Sequence, residues 1–429
     1  MKLAKYFSIF SSIFGDERPN VILLLTDDFG VGDFQVNQAR AKVPTPNIDR
    51  LGTEGVNFKV FQRIKTFVKF LKDAHSGSSR CAPSRYMLMT GRYSLEDKKE
   101  RIILPDREPH LGSMFKKAGY KTAIFGKSQP LQTWANNEDQ EAQNKQQKDM
   151  AEWLEKYEGI KKHRDSLFYQ PGNYFLKVSE TDYNYEYSFT SMSPCCGPNG
   201  FFENGNQTES FSKYAIQRYY PEGGTKKERG GPEFPSNAYV AAPFPDQPIE
   251  GEKYTSNYPN TMIAQPNFDS RLKGQVVSEK LTDFIREQEH SEQPFFAYYG
   301  MRSGHSPFNT PLKFRNTTEA GILGEMIAEV DEIVGNIFQA LEESDKLDNT
   351  LIVFMSDNGG ARNINSFMQS LYGHTQNAID FAGENVKLKG GKGTQHEGGH
   401  RLPFMWWYPK QFQARTIEDK TVSYLDVFR

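Results

Sequence analysis

Cysteine is scarce in this chain: three residues in 429, two of them adjacent at Cys195 and Cys196. Three thiols cannot build a disulfide framework, so the core must come from packing. Long apolar runs are missing as well, and the mean hydropathy is -0.69. That excludes a hydrophobic helix able to span a bilayer, and no membrane partner is expected. An excess of one charge is also missing. The 52 Lys and Arg stand against 54 Asp and Glu, for a formal net charge of -2. A nearly neutral chain has no basic surplus to attract nucleic acid, so no nucleic-acid partner is expected. The length excludes a scaffold too small for a core and fits one large α/β domain or a few small ones.

What is present alternates between two periods. Asn20 to Thr26 (NVILLLT) is an apolar run of the length of a buried strand, and it stops at Asp27-Asp28. Lys121 to Phe125, Pro294 to Tyr299 and Thr350 to Met355 read as further strands. They run into Gly126-Lys127, Arg302-Ser303-Gly304-His305 and Ser356-Asp357-Asn358-Gly359. Helices are predicted over Asn47 to Glu54, Pro109 to Ala118, Gln275 to Glu289 and Glu319 to Ser344. The last carries Ile322, Met326, Val330, Ile333, Val334, Ile337 and Leu341 at helical spacing. Alternating strands and helices predict an α/β layer fold. Sites in such sheets form beyond the carboxyl ends of the strands, where these polar residues sit.

Residues 132–265 differ. A polar run from Asn136 to Lys148 gives way to Gly, Pro, Tyr and Asn, which reads as a long, partly irregular excursion. It shapes a substrate mouth or is a surface insertion. At the amino end, Lys2 and Lys5 precede a mildly apolar stretch from Tyr6 to Phe14, a weak secretory leader over residues 1–18. The sequons at Asn206 and Asn316 are compatible with a glycoprotein of the secretory pathway, secreted or lysosomal.

One motif decides the reading. Cys81-Ala82-Pro83-Ser84-Arg85 arises by chance in roughly one such chain in a thousand. Alone it also fits a plain helix start with proline in the first turn. It does not stand alone. Thr26-Asp27-Asp28, Pro44-Thr45-Pro46-Asn47, Gly126-Lys127, His305-Ser306-Pro307, Ser356-Asp357-Asn358-Gly359, Gly391-Lys392-Gly393 and Glu397-Gly398-Gly399-His400-Arg401 flank it in order. With these blocks the sequence resembles the sulfatase family of the alkaline-phosphatase-like superfamily, from about Pro19 to Phe428. The resemblance implies a three-layer α/β/α sandwich with a large mixed, mostly parallel sheet. It implies a catalytic domain over residues 19–429. In the family the motif cysteine, here Cys81, is oxidised to formylglycine (3-oxoalanine) by a formylglycine-generating enzyme, a second expected partner besides the substrate, an aryl or carbohydrate sulfate ester. Hydrated, that residue has two hydroxyls on one carbon. One would attack sulfur and displace the alcohol, and the other would then lose its proton and expel sulfate as the aldehyde returns.

Asp27, Asp28, Asp357 and Asn358 are hard oxygen donors that suit Ca²⁺ or Mg²⁺ rather than zinc. Singly they read as turns and caps. The resemblance implies one Ca²⁺ ion, with an oxygen of modified residue 81 in its shell, lowering the pKa of the attacking hydroxyl. It also implies that Lys127 and Lys392 meet sulfate oxygens. Arg85, one helical turn from Cys81, holds the modified residue and the metal ligands. His305 is the candidate general acid for the leaving alcohol.

Four features depart from the family. Gly126-Lys127-Ser128-Gln129 has Gln129 in place of the family's histidine, with His75 or His374 as substitutes. An additional stretch at residues 60–72 gives Lys59 to Lys72 five basic residues and helically spaced apolar ones. It reads as an atypical insertion or a basic amphipathic helix. The chain stops where the family continues into a small antiparallel subdomain. Cys195-Cys196 has no evident role. Two alternatives to a sulfatase stay open: a phosphate or phosphonate ester hydrolase of the same superfamily, and an inactive glycan-binding relative.

Overall fold

Strand β1, Asn20–Thr26, coincides with its predicted run and is buried along its whole length. In the computed structural model the described residues are 18–37, 41–57, 73–93, 109–128, 183–191, 200–208, 271–305, 310–360, 388–412 and 421–428. The short strands at 133–134, 176–178, 216–217, 262–263 and 416–417 complete them. Residues 1–17 of the expected leader, the basic segment Lys59 to Lys72, Gln129, the run Asn136 to Lys148, Cys195-Cys196, Ser306-Pro307 and His374 lie outside the described residues.

The further strands are β2 (Val56–Asn57), β3 (Asp73–His75), β4 (Lys121–Gly126), β5 (Tyr187–Ser191), β6 (Phe201–Glu203), β7 (Asn206–Gln207), β8 (Phe295–Gly300), β9 (Thr350–Ser356), β10 (Phe404–Trp407), β11 (Thr416–Ile417) and β12 (Thr421–Ser423). Ten strands make one sheet in the order β11-β2-β10-β9-β1-β8-β4-β5-β6-β7. Its centre, β9-β1-β8-β4-β5, is parallel throughout. Antiparallel β10 and β6 flank it. Strands β3 and β12 form a separate parallel pair.

The central strands are apolar on both faces because both faces are covered. Ile22 and Leu24 enter one core; Val21, Leu23 and Leu25 enter the other. Helices α1 (Pro46–Glu54), α4 (Lys273–Arg286) and α5 (Gly321–Glu343) supply the first core through Ile48, Leu51, Leu281, Met326, Val330 and Ile337. Helices α2 (Cys81–Thr90) and α3 (Leu111–Lys117) supply the second through Leu88, Met89 and Leu111, joined by Tyr424 of α6 (Tyr424–Phe428). Each fully buried aliphatic side chain contributes about 1.5–3 kcal/mol relative to exposure. The implied three layers and mostly parallel sheet are therefore present. Helix α4 differs from its predicted span at both ends: it starts at Lys273 and stops at Arg286.

Part of the excursion enters the sheet. Tyr187–Ser191 within it is a sheet strand, parallel to β4, with Ser188, Thr190 and Ser191 buried beside Phe189. Helix α3 begins one residue after His110, whose Nδ1 accepts from the Ser113 N–H at 3.4 Å while Ser113 Oγ accepts from the His110 N–H at 3.0 Å. This reciprocal cap is the capping-box geometry with histidine as the cap.

Burial pushes the His110 imidazole down to about 4. The folded value lies below the unfolded one, ~6.5. The contribution of neutral His110 is therefore complete above ~6.5 and is lost as pH falls toward about 4. His110→Asn keeps a cap acceptor and removes this titration. Thermal melts between pH 6.5 and 4 are expected to show a smaller fall in Tm for the variant than for the native chain. Equal falls would contradict the assignment.

Candidate active site

Four neighbouring parallel strands end together and deliver the site. Strand β1 ends at Asp27 and Asp28, β4 at Lys127, β8 in the 301–305 turn, and β9 at Asp357 and Asn358. The register Thr26↔Ser356 sets Asp27 beside Asp357. Asp28 has φ 61°, an uncommon conformation for a residue with a Cβ. Its N–H donates to Asp357 Oδ1 at 3.2 Å, which helps hold that turn. Gly304 has φ +104°, and a Cβ there would lie 1.9 Å from the Asp27 carbonyl oxygen. Only glycine allows the β8 turn to close over Asp27.

The charges are interleaved. Arg85 is wholly buried, and its Nε and Nη2 both reach Asp357 Oδ2, at 2.9 and 2.8 Å. Its Nη1 donates to the Tyr298 hydroxyl at 3.0 Å. Lys127 Nζ lies 2.6 Å from Asp27 Oδ2, and Lys392 Nζ lies 2.6 Å from Asp28 Oδ2. Asn358 Nδ2 donates to Asp28 Oδ1 at 2.8 Å. Burial works against the Asp27 carboxylate, but the charges of Lys127, His305, Arg85 and Lys392 outweigh it and hold the carboxyl well below its usual range. Burial and the Asp27 charge push Asp357 up to about 6. Burial costs the Lys127 and Lys392 ammonium groups, yet the carboxylates beside them raise both pKa values.

Cys81 opens helix α2, partly buried, with Lys127, Asp27, Asp357 and Lys392 as its charged neighbours. Burial pushes its thiol up, so the unmodified side chain is held as a neutral thiol and not as the nucleophilic thiolate. All nine residues singled out in the sequence, Asp27, Asp28, Cys81, Arg85, Lys127, His305, Asp357, Asn358 and Lys392, thus gather in one place. Sequence reasoning missed Tyr298, because an inward tyrosine in an apolar strand reads as core.

Two buried oxygens, Asp27 Oδ1 and Asn358 Oδ1, accept no hydrogen bond. Leaving such groups unpaired costs about 1–3 kcal/mol each. Asp27, Asp28 and His305 also present one ligand atom each within 4.8 Å of one another. Three carboxylates and an amide oxygen fit a hard divalent cation, with His305 at its margin.

These features come with known relatives. The sequence model of the Sulfatase family matches residues 19–429. The chain belongs to the sulfatase family. This sulfatase-family chain is 25% identical to N-acetylgalactosamine-6-sulfatase of Canis lupus familiaris, covering 96% of its own length and 61% of the relative's. It is 24% identical to an N-acetylgalactosamine-6-O-sulfatase of Bacteroides thetaiotaomicron, covering 96% and 71%. It therefore spans less than two thirds of the mammalian relative. Among solved structures, a protein from work on metabolism of multiple glycosaminoglycans by Bacteroides thetaiotaomicron matches with TM-score 0.67 at 22% identity, over 96% of this chain and 76% of that one. A sulfatase from Pseudoalteromonas sp. matches with TM-score 0.61 at 19% identity, over 99% and 69%. At these identities the structures show a shared fold.

A cation that binds only the folded sulfatase domain raises its stability, by about 2.7 kcal/mol at a hundredfold excess over Kd. Adding Ca²⁺ to chelator-treated protein is therefore expected to raise Tm, and Asp27→Asn to abolish most of the rise. A native chain indifferent to Ca²⁺ would argue against the cation site.

Proposed function

We propose that this chain hydrolyses sulfate monoesters of carbohydrates through a formylglycine made from Cys81, with Ca²⁺ held by Asp27, Asp28, Asp357 and Asn358. The observation that carries the reading is the surroundings of residue 81: a helix start ringed by Lys127, Lys392, Asp27 and Asp357, with Arg85 buried behind it. A sulfate ester is an anion, and its cleavage needs charge stabilisation and alignment above all. When present, the hydrated aldehyde supplies a nucleophile with an internal exit, and Ca²⁺ supplies Lewis acidity.

The chain's own residues do the rest. Lys127 and Lys392 direct ammonium protons at the peripheral sulfate oxygens. Arg85 fixes Asp357 from the helix that carries residue 81, tying nucleophile and metal ligands into one frame. His305 protonates the departing alcohol. The names of the relatives make a 6-sulfated N-acetylgalactosamine the first substrate to try. The sequon residues Asn206 and Asn316 are both exposed, which supports passage through the secretory pathway.

Two measurements test the reading. The tryptic peptide spanning Cys81, from cells containing the formylglycine-generating enzyme, is expected to carry the mass of formylglycine. Cys81→Ala is expected to remove turnover of 4-nitrophenyl sulfate while leaving Tm near the native value. Unmodified cysteine in that peptide, or full turnover by the variant, would refute the mechanism.

A further inference from the structure

Helix α5 carries three buried acidic side chains, and two of them, Glu325 and Glu329, lie on a face that is otherwise core. Glu325 and Glu329 are one turn apart, beside Met326, Ile327 and Val330, and are 5% and 2% exposed. Such groups are costly to bury and persist where they hold something. Both hold the chain around His305. Glu329 Oε2 accepts from the Ser303 hydroxyl at 2.8 Å. Glu325 Oε2 accepts from the Thr310 hydroxyl at 3.2 Å, and its Oε1 accepts from the Asn316 N–H at 2.9 Å. The two carboxylates thus grip the segment on both sides of His305.

The upstream side leaves little freedom. Met301 N–H donates to the Leu25 carbonyl at 2.8 Å, Gly304 abuts Asp27, and His305 N–H donates to the Arg302 carbonyl at 3.1 Å. Within this turn Ser303 is 1% exposed, and its hydroxyl donates to Glu329. We propose that Glu329, acting through Ser303, is a positioning residue that sets His305 against Asp27 and Asp28, with Glu325 anchoring the return of the same segment. This rests on the reading of His305 as the acid for the leaving alcohol. Glu329 Oε1 accepts no hydrogen bond and borders a polar cleft between α4 and α5 lined by Gln275, Ser278 and Thr282. A glutamine at 329 can therefore keep the bond to Ser303 and turn its amide nitrogen toward that cleft.

A misplaced general acid matters most when the leaving group is poor. The native chain, Glu329→Gln, Glu329→Leu and Ser303→Ala are compared on 4-nitrophenyl sulfate, whose phenolate departs unaided, and on a 6-sulfated N-acetylgalactosamine. For Glu329→Leu and Ser303→Ala, kcat on the sugar sulfate is expected to fall about tenfold or more and on the aryl sulfate less than about threefold, at little changed KM. Glu329→Gln is expected to retain most of the native rate. The double variant Glu329→Leu/Ser303→Ala is expected to lose no more than either single one. Equal losses on both substrates, or a glutamine variant as impaired as the leucine one, would overturn the proposal. A native chain that turns over no sulfate ester refutes the sulfatase reading instead. Crystal structures of the native and Ser303→Ala proteins then decide the positioning role: a His305 imidazole displaced relative to Asp27 supports it, and an unmoved ring overturns it.

Discussion

Three carboxylates share one buried place, and the rest of the site answers to that constraint. Asp27 and Asp28 follow β1, Asp357 follows β9, and the parallel register Thr26↔Ser356 brings them together. Like charges in a low-dielectric interior repel strongly. The rise of Asp357 to about 6 under burial and the Asp27 charge is the signature of that crowding. Arg85, Lys127 and Lys392 come from three other segments to offset it. Removing one of the cations would leave an uncompensated buried charge, which is costlier than losing a surface pair.

The backbone supplies the rigidity that this arrangement needs. Asp27, Lys127, the 301–305 turn and Asp357 are attached to four adjacent strands held by their ladders, with helices on both faces. Arg85 comes from helix α2, and its guanidinium bridges Asp357 to Tyr298. The Tyr424 hydroxyl donates to the Ser356 carbonyl, so α6 also braces the end of β9. A site built this way has its dipoles and charges aligned before an anion arrives, which is where electrostatic catalysis gains most.

Much of this was legible in the sequence for simple reasons. Strands covered on both faces are continuously apolar, so β1 and β9 stand out, and each ends on acidic or amide residues. Helix α5 is long enough for its period to be unmistakable. Other parts were hidden. Strand β5 reads YSFTS, and three small hydroxyl residues do not signal a buried strand, although Ser188 and Thr190 are buried there. Strand β10 turns antiparallel at its register with β9, a pairing no local pattern encodes. Glu325 and Glu329 look solvated in a helix sequence, because their burial depends on partners 15 and 26 residues earlier in the chain, Thr310 and Ser303, which no helical period announces.

The lysines and the carboxylates cannot be treated as separate anion and cation sites. Lys127 contacts one oxygen of Asp27 and Lys392 one oxygen of Asp28, and the other Asp27 oxygen accepts no hydrogen bond. A cation drawn to these carboxylates competes with the ammonium groups for the same negative charge. Whatever the cation takes from those ion pairs leaves the lysines freer to meet a sulfate oxygen. Under the proposed function, a cation bound there would therefore prepare the site for an anion, and a bound anion would in turn offset the added positive charge. By linkage, each is expected to tighten the binding of the other.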